Sequence, residues 1–355
     1  MNRAVLALLS CLALASAAAA DVTVERFVKS GGLAGVGANE TVAVEKLSAG
    51  KKREATSTKL TGSLAGFLGS LAKEVKNDTL TDVAKDSVWT FDHEAKTFSR
   101  SSISEAYRTA ESAADKQTRQ EKRDAKDKKS ETRVVRNEVT VRETGQTKDL
   151  NGFPCVQYVV TWLLELEDTK TGERTKTVMT NELWNTPETK ETKALAKEEA
   201  EFDRAYWKRA GADVTTEEKK GLGLSAMAGM LGQDDATVQA GVKDLQEKLS
   251  KIKGFSISTA IRWQVNPKDG QEEKAAKKKK KSEEAEESGG RGGFFSALRK
   301  AIKKDVTGSD QEEIEPDQSA QEGVLFDSYT EIRKISVAPV PAADFQVPAG
   351  YKAAP

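Results

Sequence analysis

The longest run of alternating apolar and polar residues lies between Asn151 and Trp184, and it predicts a long antiparallel hairpin. A period of two is typical of a strand with one face committed to a core. The turn is expected between Asp168 and Gly172. Because two strands alone are only marginally stable in water, the hairpin should belong to a larger antiparallel sheet. In its first arm, the apolar side chains that share one face are Val156, Tyr158, Val160, Trp162, Leu164 and Leu166.

Shorter alternating stretches extend this sheet on both sides of the hairpin. A second, short hairpin is predicted at Ser87–Arg100, with Trp89, Phe91 and Phe98 inward. The clearest alternation is in Phe255–Val265, which predicts a strand with one buried face and one solvent-exposed face. The other predicted strands are Asp21–Ser30, Thr41–Leu47, Lys51–Lys59 and Thr132–Glu143, and Gly323–Val340 is predicted as either a last pair of strands or one bent strand.

Four stretches show helical spacing of apolar residues or combine such residues with glycine. Ala236–Ile252 is the best amphipathic helix, and Gly254 is a fitting stop. Glu188–Arg209 is also predicted as a helix, ended by Gly211. The stretches Thr61–Lys76 and Gly221–Gly232 mix large apolar side chains with several glycines.

Two charged segments, 104–130 and 267–321, interrupt these patterns and are predicted as insertions in a single domain that spans 21–355. Within the second, a short basic amphipathic helix is predicted at 294–306. It could rest on an anionic membrane surface, although packing over the edge of the sheet is the favoured interpretation.

Residues 1–20 have the features of a cleaved secretory signal: Arg3, a short apolar run and small residues before Asp21. The expected location is therefore the periplasm. The alternative is lipid attachment at Cys11 after a weak lipobox. Cleavage would leave Cys155 as the single cysteine, which excludes an internal disulfide and favours a small buried side chain.

Charge and residue types exclude several classes of function. With 56 basic and 56 acidic residues, the chain offers no global attraction for nucleic acid. His93 is the only histidine and lies in a predicted polar turn, so an exposed surface position is expected and the common zinc sites are excluded. No nucleophile elbow, phosphate-binding loop or C-x-x-C motif is present. The expectation is a protein without catalytic residues, metal or cofactor. A hydrolase that uses paired acidic residues is the one catalytic alternative.

The glycine-rich helical stretches are the candidate lining of a hydrophobic cleft. Leucine, phenylalanine and methionine beside glycine suit a mobile surface that adapts to acyl chains. The simpler interpretation is that both stretches are core helices that cover a sheet. The candidate ligand-binding residues are Leu64, Phe67, Leu68, Leu71, Leu224, Met227, Met230 and Leu231.

Five motifs in this order resemble an exported bacterial family grouped with the LolA-like periplasmic lipoprotein carriers. They lie at Trp89–Phe98 (W-T-F-D-x-x-x-K-T-F), Asn151–Tyr158 (N-G-F-x-C-x-x-Y), Glu182–Pro187 (E-L-W-x-T-P), Phe202 with Tyr206, and Phe345–Tyr351 (F-x-V-P-x-G-Y). The resemblance covers most of the chain after residue 20. It implies an α+β fold with a strongly curved antiparallel sheet, an unclosed barrel, whose concave face holds helices and a lipid or acyl chain. It brings no catalytic residues.

The expected function is therefore periplasmic, non-enzymatic binding of an acyl chain, lipid or lipoprotein segment. The alternative is a structural or protein-interaction module of the cell envelope whose cleft is filled by its own helices.

Overall fold

The structure is a computed structural model that describes residues 21–33, 37–62, 65–66, 73–109, 132–211, 236–265 and 323–354. Two long helices are α1 (Lys190–Ala210) and α2 (Ala236–Leu249); residues 103–109 are also helical, and Ala342–Phe345 form a 3-10 turn. The described strands are β1 (Val22–Leu33), β2 (Asn39–Ser48), β3 (Lys51–Leu60), β4 (Val75–Asp82), β5 (Ser87–Asp92), β6 (Thr97–Ser101), β7 (Thr132–Leu150), β8 (Phe153–Asp168), β9 (Arg174–Thr186), β10 (Phe255–Val265), β11 (Val324–Val337) and β12 (Lys352–Ala353).

These strands form one twelve-stranded sheet in the order β12-β6-β5-β4-β3-β2-β1-β11-β10-β9-β8-β7. Strands β1 to β6 are one meander and β7 to β11 are a second, and the antiparallel pairing of β1 with β11 joins them. The short strand β12 runs parallel to β6. In the described part of the chain β7 and β12 lie at opposite edges, so the sheet is not closed. The prediction of an α+β protein with an unclosed, largely antiparallel sheet is confirmed.

The predicted central hairpin and its turn are confirmed. Strands β8 and β9 pair from Val156 with Asn185 to Glu167 with Arg174. Asp168 closes the turn because its Oδ1 accepts the backbone N–H groups of Lys170 and Thr171, at 2.8 and 2.9 Å. The predicted row of side chains does share one face, and four of its members are buried: Val160, Trp162, Leu164 and Leu166.

Several predicted boundaries are wrong. The predicted helix at Thr61–Lys76 does not include Val75 and Lys76, because these two residues open strand β4, which the apolar pattern did not predict. Strand β7 continues beyond Glu143 to Leu150. In β10 a register shift between Ser256 and Ser258 breaks the expected alternation, so that both Ile257 and Ser258 are buried.

Two buried apolar clusters lie on one face of the sheet, which we call the helix face. Directly paired residues of adjacent strands carry their side chains on the same face. This pairing leads from Val28 of β1 to Thr330 of β11 and on to Thr259 of β10, so both clusters lie on the same face of the sheet. The hairpin cluster contains Val139, Val160, Trp162, Leu164, Leu166, Met179, Leu245, Trp263 and Leu325. The amino-terminal cluster contains Val22, Val24, Leu47, Val83, Ile103, Leu195, Phe202, Ala210 and Ile332.

Each long helix covers one of these clusters. Helix α1 begins after Thr189, whose Oγ1 accepts the Thr192 N–H at 3.2 Å while Thr192 Oγ1 accepts the Thr189 N–H at 2.8 Å. It ends at Gly211 as predicted, with φ at +80°, a conformation that glycine adopts without strain. Helix α2 lies against β7 and contributes Leu245 to the hairpin cluster.

A third cluster lies on the opposite face, where the C-terminal segment 338–354 crosses β4, β5 and β6. Its buried members are Leu80, Trp89, Phe91 and Phe345. The predicted hairpin at Ser87–Arg100 is thus confirmed as β5 and β6, with Trp89 and Phe91 inward. Within the described residues, no helix has the length and apolar character needed to cross a membrane.

Candidate ligand-binding groove

An open groove of about 520 Å³ lies on the helix face, between the edge strand β7 and the C-terminal end of α2. Ligand clefts in proteins commonly measure about 300–1,000 Å³, so the groove is large enough for a small apolar molecule. Its lining residues are Val139, Thr140, Val141, Glu143, Tyr158, Lys248, Lys251 and Ile252.

The position of α2 creates this groove. At Gly241 the helix comes so close to β7 that an added Cβ would lie 2.4 Å from Asn137 Nδ2. A larger residue would therefore have to displace the Asn137 side chain, whose Oδ1 accepts the indole N–H of Trp162 at 2.8 Å. Near the other end of the helix, Lys248 Nζ donates to the backbone carbonyl of Val139 at 2.6 Å and to Asp244 at 2.9 Å. These contacts fix α2 over the edge strand and leave the groove open beyond its last turn.

The floor of the groove is apolar and its rim is charged. Val139 is buried, while Val141 and Ile252 are half-buried. Burial raises the pKa of Tyr158, and the neighbouring Glu143 carboxylate, which accepts a hydrogen bond from the phenol, raises it further. The phenol therefore stays neutral. Lys251, which follows α2, is exposed at the rim of the groove. The arrangement suits a molecule with an apolar body and an anionic end.

All eight residues that the sequence proposed as cleft lining, from Leu64 to Leu231, lie outside the described residues. Most of the insertion at 104–130, all of the insertion at 267–321 and the amphipathic helix at 294–306 lie outside them as well. The sequence did identify Val139, Val141 and Tyr158 as strand residues. It gave no signal that they line a groove, because the groove depends on where α2 lies.

The helix face is not apolar throughout. Under α1, Arg26 Nε lies 2.9 Å from Glu45, and Lys52 Nζ lies 2.7 Å from the same carboxylate. Arg26 also contacts Glu199 of α1. Burial alone would raise the pKa of Glu45, but Lys52 and Arg26 lower it. This charged cluster lies on β1, β2 and β3, so this part of the helix face is polar.

A second polar cluster lies on the opposite face and includes the single histidine. Asp78 is buried, and it accepts hydrogen bonds from Arg53 at 3.0 and 2.7 Å and from His93 Nε2 at 3.0 Å. His93 Nδ1 lies 2.6 Å from the Tyr351 hydroxyl. The His93 side chain is 49% exposed, so the predicted turn position is right, but the histidine is also bound to a buried carboxylate. The cluster ties the C-terminal segment to the sheet.

Cys155 is 1% exposed, as predicted for a small buried side chain, and burial raises the pKa of its thiol to about 11. Because the thiolate is the reactive species, we expect no reaction of the folded protein with a thiol reagent at pH 8 and complete reaction in urea. Absorbance of the released thiol chromophore measures both. Rapid labelling in the absence of urea would contradict this placement of the thiol.

Among the described residues, no group of three or more histidine, cysteine, aspartate or glutamate side chains is arranged to hold a metal ion. Comparisons of the chain with protein families, with curated proteins and with solved structures found no match.

Proposed function

We propose that this protein is a periplasmic, non-enzymatic binding protein that holds a hydrophobic ligand, such as an acyl chain, a lipid or a lipoprotein segment, in the groove beside α2. The open groove of about 520 Å³ with its floor of Val139, Val141 and Ile252 carries the proposal. Apolar contact would provide the affinity. The exposed Lys251 would favour ligands with an anionic end group.

The proposal includes a strongly curved sheet of the LolA-like type, with the helix face concave. Open sheets rarely exceed about ten strands without curling, and this sheet has twelve. Register shifts, which bend strands, occur at Glu25/Arg26, Ser256/Ser258, Trp263/Gln264, Val134/Arg136 and Glu143/Thr147. A curved sheet would bring the β7 edge towards the helices and would deepen the groove.

One observation favours a second function, a structural or protein-interaction module of the cell envelope. Both apolar clusters are already covered by the chain's own helices, since Leu195 of α1 is 0% exposed and Leu245 of α2 is 1% exposed. A protein of this kind would use its outer surface and would carry no lipid.

Native mass spectrometry of the full chain, expressed with its leader and released gently from the periplasm, separates these functions. The binding proposal predicts a protein that carries lipid or acyl-chain adducts. Recovery in the periplasm without any adduct supports the interaction module, and recovery in the cytoplasm contradicts the proposed location.

The groove itself is tested by Val141→Glu. A carboxylate in the apolar floor should weaken binding of a fluorescent fatty acid at least about tenfold, because burial of the charge costs more than the 1.4 kcal/mol to which tenfold corresponds. Fluorescence titration gives the Kd. The matched control is Val159→Glu, a half-buried position on the opposite face whose partner across the strands is Arg142. Equal affinities for both variants would place the ligand elsewhere.

A further inference from the structure

Glu198 of α1 is a buried carboxylic acid that faces the sheet. It is 4% exposed, and its Oε1 has no hydrogen-bond partner among the described residues. Burial raises the pKa of Glu198, the charges of Glu201 and Asp21 raise it further, and Lys197 opposes them. A buried carboxylate destabilises the folded protein unless it is paired with a positive charge or neutralised by a proton. A positively charged partner for Glu198 is therefore expected.

The surroundings of Glu198 place it at the start of strand β1. Leu195 and Phe202 lie on the same face of α1, three residues before and four after, and both pack with Val22 in the amino-terminal cluster. Asp21 precedes Val22 directly, and its charge acts on Glu198. The backbone N–H of Val340 donates to Asp21 Oδ2 at 2.7 Å, which holds residue 21 in place.

We propose that the partner of Glu198 is the α-ammonium group that forms when the chain is cleaved between Ala20 and Asp21. Hydrolysis of that peptide bond consumes one water, leaves a carboxylate on Ala20 and frees the amine of Asp21, which takes up a proton at neutral pH. Before cleavage, residue 21 offers a neutral amide, and Glu198 forms no ion pair with any of the described residues. After cleavage, an ammonium group lies beside the carboxylate, and the pair stabilises the junction of α1 with β1.

Processing is therefore coupled to folding. The unprocessed chain buries a lone acid, which favours its protonated form, whereas the processed chain buries an ion pair. The inference rests on the cleavage site predicted from the sequence and not on ligand binding, so failure of the groove would leave it intact.

Two chains that differ by one residue test the pair. They are released from a fusion so that one begins at Asp21 and the other at Ala20, and the α-amino pKa of each is measured by competitive acetylation and mass spectrometry. An opposite charge within reach raises the pKa of an amine. In the chain that begins at Asp21 we expect an increase of about one unit above the ordinary range of about 7.7–8.0, and in the other chain no increase.

We also expect a higher Tm for the chain that begins at Asp21 than for the chain that begins at Ala20. Glu198→Gln should abolish both the pKa increase and this difference in Tm. Glu201→Gln is the matched control, because Glu201 is exposed one turn further along α1, and the increase should persist there. If Glu198→Gln does not fold, the comparison of the two unmutated chains still decides. Equal α-amino pKa values in those chains, or an exported protein whose first residue is not Asp21, would overturn the proposal.

Discussion

Leu164→Ala is expected to lower the free energy of unfolding by about 2–5 kcal/mol, the usual cost of removing a fully buried leucine side chain. Leu164 is 2% exposed in the middle of the hairpin cluster. The substitution removes apolar contact and leaves a cavity in the hairpin cluster on the helix face, and the pairing of β8 with β7 and β9 limits its collapse. Urea unfolding, monitored by tryptophan fluorescence, measures the loss.

The control is the adjacent residue. Leu163→Ala makes the same chemical change on the opposite face of β8, where the side chain is only half-buried. We expect a much smaller loss, since less apolar area leaves water there. Similar losses for the two variants would mean that β8 between Val160 and Leu166 does not commit a single face to the core, and the assignment of the helix face would fail with it.

The central hairpin was predictable because one physical requirement dominates it. Every second side chain from Val160 to Leu166 is buried, so the sequence must alternate there. The end of α1 was predictable for the same kind of reason, since Gly211 adopts a positive φ that other residues reach only with strain.

Strand β4 was missed because its pattern is polar. Its sequence is VKNDTLTD, and Asp78 and Asp82 are buried at the positions where a core strand would carry apolar residues. The second half of β7 was missed for a different reason. As an edge strand it faces water, and its charged residues and register shifts protect it from pairing with other chains.

The groove and the Asp78 cluster could not be predicted from local pattern. His93 and Tyr351 are separated by 258 positions, and their contact depends on the path of the C-terminal segment across the sheet. The groove depends on the close approach of α2 to Asn137 at Gly241. Periodicity identifies which face of an element is buried, but it does not identify the element that covers that face.

Asp78→Ala is expected to lower the free energy of unfolding by about 3–5 kcal/mol, the usual cost of removing one member of a buried ion pair. The reason is that Arg53, whose side chain is 17% exposed, would lose both hydrogen bonds to the carboxylate and remain as a poorly compensated charge. His93 would lose its Nε2 acceptor as well. Equilibrium urea unfolding measures the effect.

Lys46→Ala is the matched control, because the Lys46–Asp344 pair also ties the C-terminal segment to the sheet but is about 30% exposed on both sides, at 31% and 29%. Exposed pairs contribute at most about 1 kcal/mol. Hydrogen exchange adds a local measurement: the N–H groups of Lys352 and Ala354, bonded to the Lys96 and Phe98 carbonyls, should exchange faster in Asp78→Ala and remain protected in Lys46→Ala. If the two variants were equally stable and equally protected, Asp78 would not be the residue that holds the C-terminal segment on the sheet.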